Sequence, residues 1–425
     1  MTLLVLLAVV SAVVTFGLSL AVYRLSLRFR LYPAIRARDV HTRPTPRLGG
    51  IAMFLGILVA FLVAYLLTPQ FPVLLIVFAD PAPVLAILGG AAVIVVVGVI
   101  DDVWDLDWMT KLAGQFVAAG LVAWLGVQIY SLPIGDTSTV GSSWMSLVIT
   151  VFAIVLVMNA INFVDGLDGL VAGVALIANG TFVVYSYSLW RATSPQNYFS
   201  LASVIAAILV GACAGFLPLN WHPAKLFMGD AGAMLIGLLM ATSAIAITGS
   251  MEPTTVEALG RSGLLPAYIP IILPFAILLV PLVDFGMAVL RRLAAGKSPF
   301  SADRKHLHHR LLDMGHSQLH AVLIFYGWAA VVSLGCLFFF VFDQWFALAF
   351  LGVGVLVCLA VTLAPLGRRK AAETRAQLAR SDEPGSLEDA RRDPLDRRFQ
   401  DSVPEPAHDD PSHEDAAPAT LKEHQ

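Results

Sequence analysis

The residues able to do chemistry in this chain gather in four short islands between long apolar runs. The first is Asp101-Asp102-Val103-Trp104-Asp105, followed by Lys111. The second is Asn159-Ala160-Ile161-Asn162-Phe163-Val164-Asp165-Gly166-Leu167-Asp168-Gly169-Leu170. The third is Phe227-Met228-Gly229-Asp230, with Asn220 and Lys225 just before it, and the fourth is Arg304-Lys305-His306-Leu307-His308-His309-Arg310. A carboxylate at the edge of hydrocarbon is costly unless something compensates it. Adjacent acids at Asp101 and Asp102 repel each other, which favours a bound cation or one raised pKa, and so a metal ligand or a general base. The three histidines of the fourth island hint at zinc, but the flanking Arg and Lys disfavour a second cation. Phosphate suits that run better, through charge-assisted hydrogen bonds. Carboxylates hold Mg²⁺, Mg²⁺ holds phosphates, and Arg and His neutralise the remaining charge. Brought together, the islands suit phosphoryl transfer from a water-soluble diphosphate donor to a lipid phosphate.

Each island also has a purely structural explanation. Acids near a helix N-terminus are favourable without function, which covers Asp165 and Asp168 but not Asn159 and Asn162 beside them. Gly166 and Gly169 allow a ligand close to the backbone. Asp230 is a natural N-cap, and Phe227 serves equally for stacking on a base or packing at the interface. A positive-inside anchor accounts for the Arg and Lys of the fourth island, but not for its histidines.

The elements that must position these islands are membrane helices. The chain is 58% hydrophobic and 13% charged, with mean hydropathy +0.78, whereas a soluble domain carries about a quarter charged residues. A span needs about 20 apolar residues. Eleven candidates follow: 1–23, 48–67, 83–100, 112–130, 145–161, 171–189, 198–218, 232–249, 267–290, 321–341 and 345–365. The stretch 71–79 is apolar but too short to cross, and is expected at the interface. The first segment lacks a basic start and a clear cleavage site, so a retained span is expected. Cys213, Cys336 and Cys358 lie in apolar runs without CxxC spacing and read as buried thiols.

Orientation follows from the cations. Arg24, Arg28, Arg30, Arg36, Arg38, Arg43 and Arg47 crowd the loop after the first span. With alternating sides, every Lys and Arg except Arg191 and Arg261 falls on that same side. All ten histidines and all four islands fall there too. The positive-inside rule then puts the N-terminus outside and the islands and C-terminus in the cytoplasm. The expected fold is therefore an all-α polytopic membrane domain over 1–365. The charged, Pro-containing tail, 366–425, cannot bury a core and is expected to be mostly disordered.

At these residues the chain resembles the polyprenyl-phosphate N-acetylhexosamine-1-phosphate transferase family. His41-Thr42-Arg43-Pro44-Thr45-Pro46-Arg47-Leu48-Gly49-Gly50, the DDxxD run, NxxNFxDGLDGL, FMGDAG and HLHHRL occur in the family's order across about 30–320. The DDxxDL and HxHHR forms favour the WecA/TagO branch over the MraY branch. Ala233 stands where the family commonly has Ser. The resemblance implies transfer of GlcNAc-1-phosphate from UDP-GlcNAc to undecaprenyl or decaprenyl phosphate at a bacterial cytoplasmic membrane. The products would be polyprenyl-diphosphate-GlcNAc and UMP, the start of a cell-envelope polysaccharide. It implies Mg²⁺, replaceable by Mn²⁺, the lipid bilayer and the two substrates as partners, no nucleic acid, and a homodimer as one assembly.

Carried over by position, Asp230 resembles a metal ligand, with Asn162 and Asp102 beside it, and Asp101 resembles the base for the acceptor phosphate. Asn159, Asp165, Asp168 and Phe227 resemble nucleotide contacts. Arg304, His306, His308, His309 and Arg310 resemble contacts to the donor's diphosphate or sugar. Lys111, Arg43 and Arg47 fall to the acceptor phosphate, while Asp284 and Asn220 support the site from behind. Direct in-line displacement and a covalent aspartyl-phosphate route through Asp101 or Asp102 both remain open at this point. Two other functions also stand: an MraY-like transfer of phospho-N-acetylmuramoyl-pentapeptide, and a nucleotide-sugar transporter. The transporter is disfavoured because its site would lie near the bilayer midplane, and these spans have nearly charge-free centres.

Overall fold

The computed structural model describes residues 1–29, 45–129, 142–193, 199–248, parts of 286–296, and 311–363 apart from 313. Apolar runs of this length have only the helix available, because backbone groups in hydrocarbon must bond within their own segment. The helices are α1 (Thr2–Phe29), α2 (Gly49–Leu66), α3 (Pro72–Ala79), α4 (Ala82–Trp104), α5 (Trp108–Trp124) and α6 (Ser143–Val164). They continue with α7 (Leu170–Thr193), α8 (Phe199–Asn220), α9 (Gly229–Thr248), α10 (Gln318–Val341) and α11 (Gln344–Leu363). Among the described residues nine helices are long and apolar enough to cross a membrane; α5, at 17 residues, is one of the two that are not. Ten of the eleven expected spans coincide with described helices, and the expected span at 267–290 lies almost wholly outside the described residues. The short stretch 71–79 forms only the eight-residue α3. The tail 366–425 also lies outside the described residues.

The bundle is organised around α9, which packs against α2, α4, α6, α7 and α8. Almost all of α9 is buried by protein, whereas α11 packs chiefly on α10 and presents most of its apolar surface outward. Between membrane helices close approach has to come from small residues, since lipid tails are as apolar as leucine. Gly98 of α4 rests on the backbone of Ala231, and Gly50 of α2 rests on Ala231 and Gly232. On α1, Ser11, Thr15 and Ser19 recur every four residues, so they share one buried face. Ser11 donates to the Ile208 carbonyl of α8 at 2.8 Å. These contacts lock α2, α4 and α9 at one end of the bundle, where the first three islands meet.

Candidate active site

The first island folds into a tight corner between α4 and α5. Helix α4 ends at Trp104, and Asp105 turns the chain in the left-handed region (φ 56°) with its N–H on the Asp101 carbonyl at 2.8 Å. Asp107 then caps α5, accepting from the N–H groups of Met109 (3.0 Å) and Thr110 (3.1 Å) and from the Thr110 hydroxyl. The hydroxyl bond, then the backbone bonds, hold the Asp107 carboxyl below the usual carboxylate range. Asp101 accepts from the Leu106 N–H at 2.9 Å with one oxygen and faces Lys111 with the other.

Asp102 finds partners beyond the negative end of α4. Its carboxylate reaches across to the start of α9 and accepts from the N–H groups of Asp230 (3.1 Å) and Ala231 (3.4 Å). An acid unfavourable at one helix C-terminus thereby becomes the cap of another helix's N-terminus. Gly229, at φ +66°, makes the turn into α9; a Cβ there would run into the Asp102 carboxylate and the Arg47 carbonyl. The chain before α2 is tied to this turn: Phe227 N–H donates to Pro46 O (2.8 Å), Gly49 N–H to Phe227 O (2.9 Å) and Gly50 N–H to Met228 O (2.9 Å).

Three elements converge on the Lys111 ammonium from α5. It bonds Asp101 Oδ2 at 3.2 Å and Asp230 Oδ2, from the first turn of α9. The Asn162 carboxamide of α6 completes the set: with its orientation assigned from these neighbours, its nitrogen donates to Asp230 Oδ1 (3.2 Å) and its oxygen accepts from Lys111 Nζ (3.1 Å). Asp101, Lys111, Asn162 and Asp230 thus form one cluster at the ends of four helices, with Asp102 directly behind Asp230.

The loop from Asp165 to Gly169 makes a second wall. Asp165 keeps some contact with solvent, yet desolvation by the protein around it, reinforced by Asp102 and Asp168 and opposed by Arg47, pushes its pKa from 3.8 up to about 7. Asp168 is buried and is not the first residue of α7; its Oδ2 meets His222 Nδ1 (2.8 Å) and the Ala224 N–H (3.0 Å). Gly169 is held on both sides. Asn220 accepts its N–H at 3.0 Å while donating to Leu226 O at 3.0 Å. The Tyr326 hydroxyl of α10 donates to its carbonyl at 2.6 Å. Asn220 therefore supports the loop from behind. Asn159 is engaged with Gln115 of α5: its Nδ2 donates to Gln115 Oε1 (2.5 Å) and to Val155 O (2.8 Å).

Arg43, Asp284, Arg304, His306, His308, His309 and Arg310 lie outside the described residues. Of the remaining sequence candidates, Asp101, Asp102, Lys111, Asn162 and Asp230 share one cluster, and Asp165 and Asp168 line the adjoining loop. Phe227 stands at the start of the turn into α9. Sequence reasoning missed His222, Tyr326 and the buried Arg292, whose guanidinium carbon lies 5.4 Å from the centre of the Phe163 ring. A polar tip in an apolar run was the available signal for Tyr326.

The donor set suits a hard cation. Two carboxylates and one carboxamide already surround an ammonium, with no thiolate or imidazole among them. No group of three or more His, Cys, Asp or Glu side chains able to hold a metal occurs among the described residues. A pair of carboxylates with a carboxamide is a donor set that Mg²⁺ can use together with waters and substrate phosphates.

Comparison with known proteins covers the stretch of chain that carries these islands. The family model of Glycosyl transferase family 4 matches residues 84–248, which contain the first three islands. The decaprenyl-phosphate N-acetylglucosaminephosphotransferase of Mycolicibacterium smegmatis is 40% identical over 371 residues, 86% of this chain and 89% of that protein. Its Mycobacterium tuberculosis counterpart is 39% identical over 369 residues, covering 86% and 90%. A probable undecaprenyl-phosphate N-acetylglucosaminyl 1-phosphate transferase of Bacillus subtilis is 30% identical over 321 residues, covering 75% and 80%. The chain belongs to glycosyl transferase family 4, within its polyprenyl-phosphate N-acetylglucosaminephosphotransferase branch.

Proposed function

We propose that this protein transfers GlcNAc-1-phosphate from UDP-GlcNAc to a polyprenyl phosphate, releasing UMP and leaving polyprenyl-diphosphate-GlcNAc. One observation carries the reading: Asp101, Lys111, Asn162 and Asp230 form a single oxygen-rich, cation-holding cluster at the helix ends, beside the tightly held Asp165–Gly169 loop. The names of the relatives support GlcNAc and a polyprenyl acceptor. The distribution of Lys and Arg supports a cytoplasmic site, where a UDP-sugar is supplied.

In the reaction an oxygen of the lipid phosphate forms a bond to the donor's β-phosphorus. The bond from that phosphorus to the oxygen of UMP breaks, and UMP leaves as an anion. Asp101 takes the proton of a monoprotonated acceptor. Its carboxylate is held in place by the Leu106 N–H. The Asp165–Gly169 loop orients the nucleotide, held by Asn220, Ala224 and Tyr326. Asp230 and Asn162 would hold Mg²⁺, which would supply charge stabilisation at the diphosphate. Asp102 has both oxygens committed to the α9 backbone, which favours direct displacement over a covalent intermediate on that residue.

The test is product mass. Purified protein with polyprenyl phosphate receives UDP-GlcNAc or UDP-N-acetylmuramoyl-pentapeptide, with Mg²⁺ or with chelator. A GlcNAc lipid and UMP in the Mg²⁺ arm alone support the proposal. A pentapeptide lipid would reassign the donor, and uptake of UDP-sugar into proteoliposomes without any lipid product would reject the enzyme.

A further inference from the structure

Lys111 occupies the place that a metal ion would need. Its ammonium is surrounded by oxygens from three other helices: Asp101 of α4, Asn162 of α6 and Asp230 of α9. The group is largely enclosed, with side-chain exposures of 17% for Lys111, 12% for Asp101 and 33% for Asp230. Without a cation, two facing carboxylates with Asp102 behind them would repel one another. A lysine and a divalent ion cannot share the same oxygens. The lysine differs from an arginine fork in being a compact charge on a flexible four-carbon stem, able to leave its partners without moving the backbone. The stem is rooted one turn into α5, and Asp107 fixes that turn.

We propose that Lys111 is the resident cation of the substrate-free site and competes with the divalent ion for Asn162 and Asp230. Metal entry displaces the ammonium, which is then free for a phosphate group of either substrate. Lys111 thus sets the metal affinity of the empty enzyme and keeps the carboxylates together until substrate and metal arrive. The inference rests on the proposal that this site takes a divalent cation.

The probe is Mn²⁺ binding to the full-length, substrate-free protein in detergent, read from the electron paramagnetic resonance of free Mn²⁺. Lys111→Met keeps the stem and removes the charge. It is expected to bind Mn²⁺ more tightly than the parent, on the order of tenfold, the scale of a part-buried ion pair. The metal should also raise its thermal midpoint by more than it raises the parent's. Lys111→Arg keeps a cation and should bind Mn²⁺ within about threefold of the parent, the modest change expected where charge persists but shape differs. Asp230→Asn should abolish the binding in either background. Unchanged or weaker Mn²⁺ binding by Lys111→Met overturns the inference and leaves the metal reading standing. Tightening by Lys111→Arg equal to that of Met overturns it too, because charge would then not be the cause. Absence of Mn²⁺ binding in every variant overturns both.

Discussion

Gly98→Ala tests whether the contact between α4 and α9 sets the geometry of the site. An ideal Cβ on Gly98 would fall against the backbone of Ala231 and lie 2.9 Å from the Ala231 Cβ. Carbon atoms rest at about 3.5–4.0 Å, so the two helices must part by roughly 0.6–1.1 Å at this level even by the most lenient of those contacts. Asp102 lies four residues on, one turn along the same face, and caps Asp230 and Ala231. Its bonds of 3.1 and 3.4 Å would stretch past useful length, and Asp230 would shift relative to Asp101 and Lys111. Overpacking costs about 1–3 kcal/mol, which a bundle of this size survives. A misplacement of about 1 Å in a catalytic constellation costs about a hundredfold in rate. Gly98→Ala is therefore expected to fold and to lose about a hundredfold in kcat for UMP release. Gly120→Ala on α5, where nothing lies within 4 Å of the added Cβ, is the control and should match the parent. If Gly98→Ala turned over within about threefold of the control, the argument that this contact positions the acids would be refuted.

Three further outcomes follow from the same geometry. Tyr326→Phe keeps the ring against Gly173 but removes the bond to the Gly169 carbonyl; losing about 1 kcal/mol predicts a rise in donor KM of about fivefold, with acceptor KM unchanged. Asp165 binds its proton more tightly folded than unfolded, so it withdraws stability as pH rises from 3.8 to about 7; comparing thermal midpoints across that window, Asp165→Asn should show a shallower decline than the parent. Asp107→Ala removes the cap of α5 and should lower the thermal midpoint at neutral pH. Because the Asp107 pKa lies below its ordinary value of 3.8, that deficit should shrink as pH falls below the ordinary value.

The helices were legible because a run of about 20 apolar residues has one solution in a bilayer. The corner from Asp101 to Lys111 was legible in part: its acids pointed to a cation, but nothing local showed that the cation in place would be Lys111. Partners supplied by other helices stayed hidden. Asn159 stood out as a polar residue among apolar ones and suggested a ligand; Gln115 on a different helix satisfies it. Asn220 offered polar reach, and its two amide ends are spent on Gly169 and Leu226. Tyr326 sits in a run read only as a span, so its grip on Gly169 required the fold.

Asp102 shows what pattern reading leaves out. Judged on its own helix, an acid in the last turn of α4 opposes the helix dipole and repels Asp101. That cost points to a bound metal or a raised pKa as compensation. The fold supplies a third source. Gly50 and Gly98 let α2 and α4 press onto the start of α9, so unpaired N–H groups lie within reach of the carboxylate. The same contacts bring Asp230 beside Asp101, which makes the cation-holding cluster. The glycines are therefore as much part of the site as the acids, since without the close approach Asp102 would lack its donors and Asp230 its neighbours.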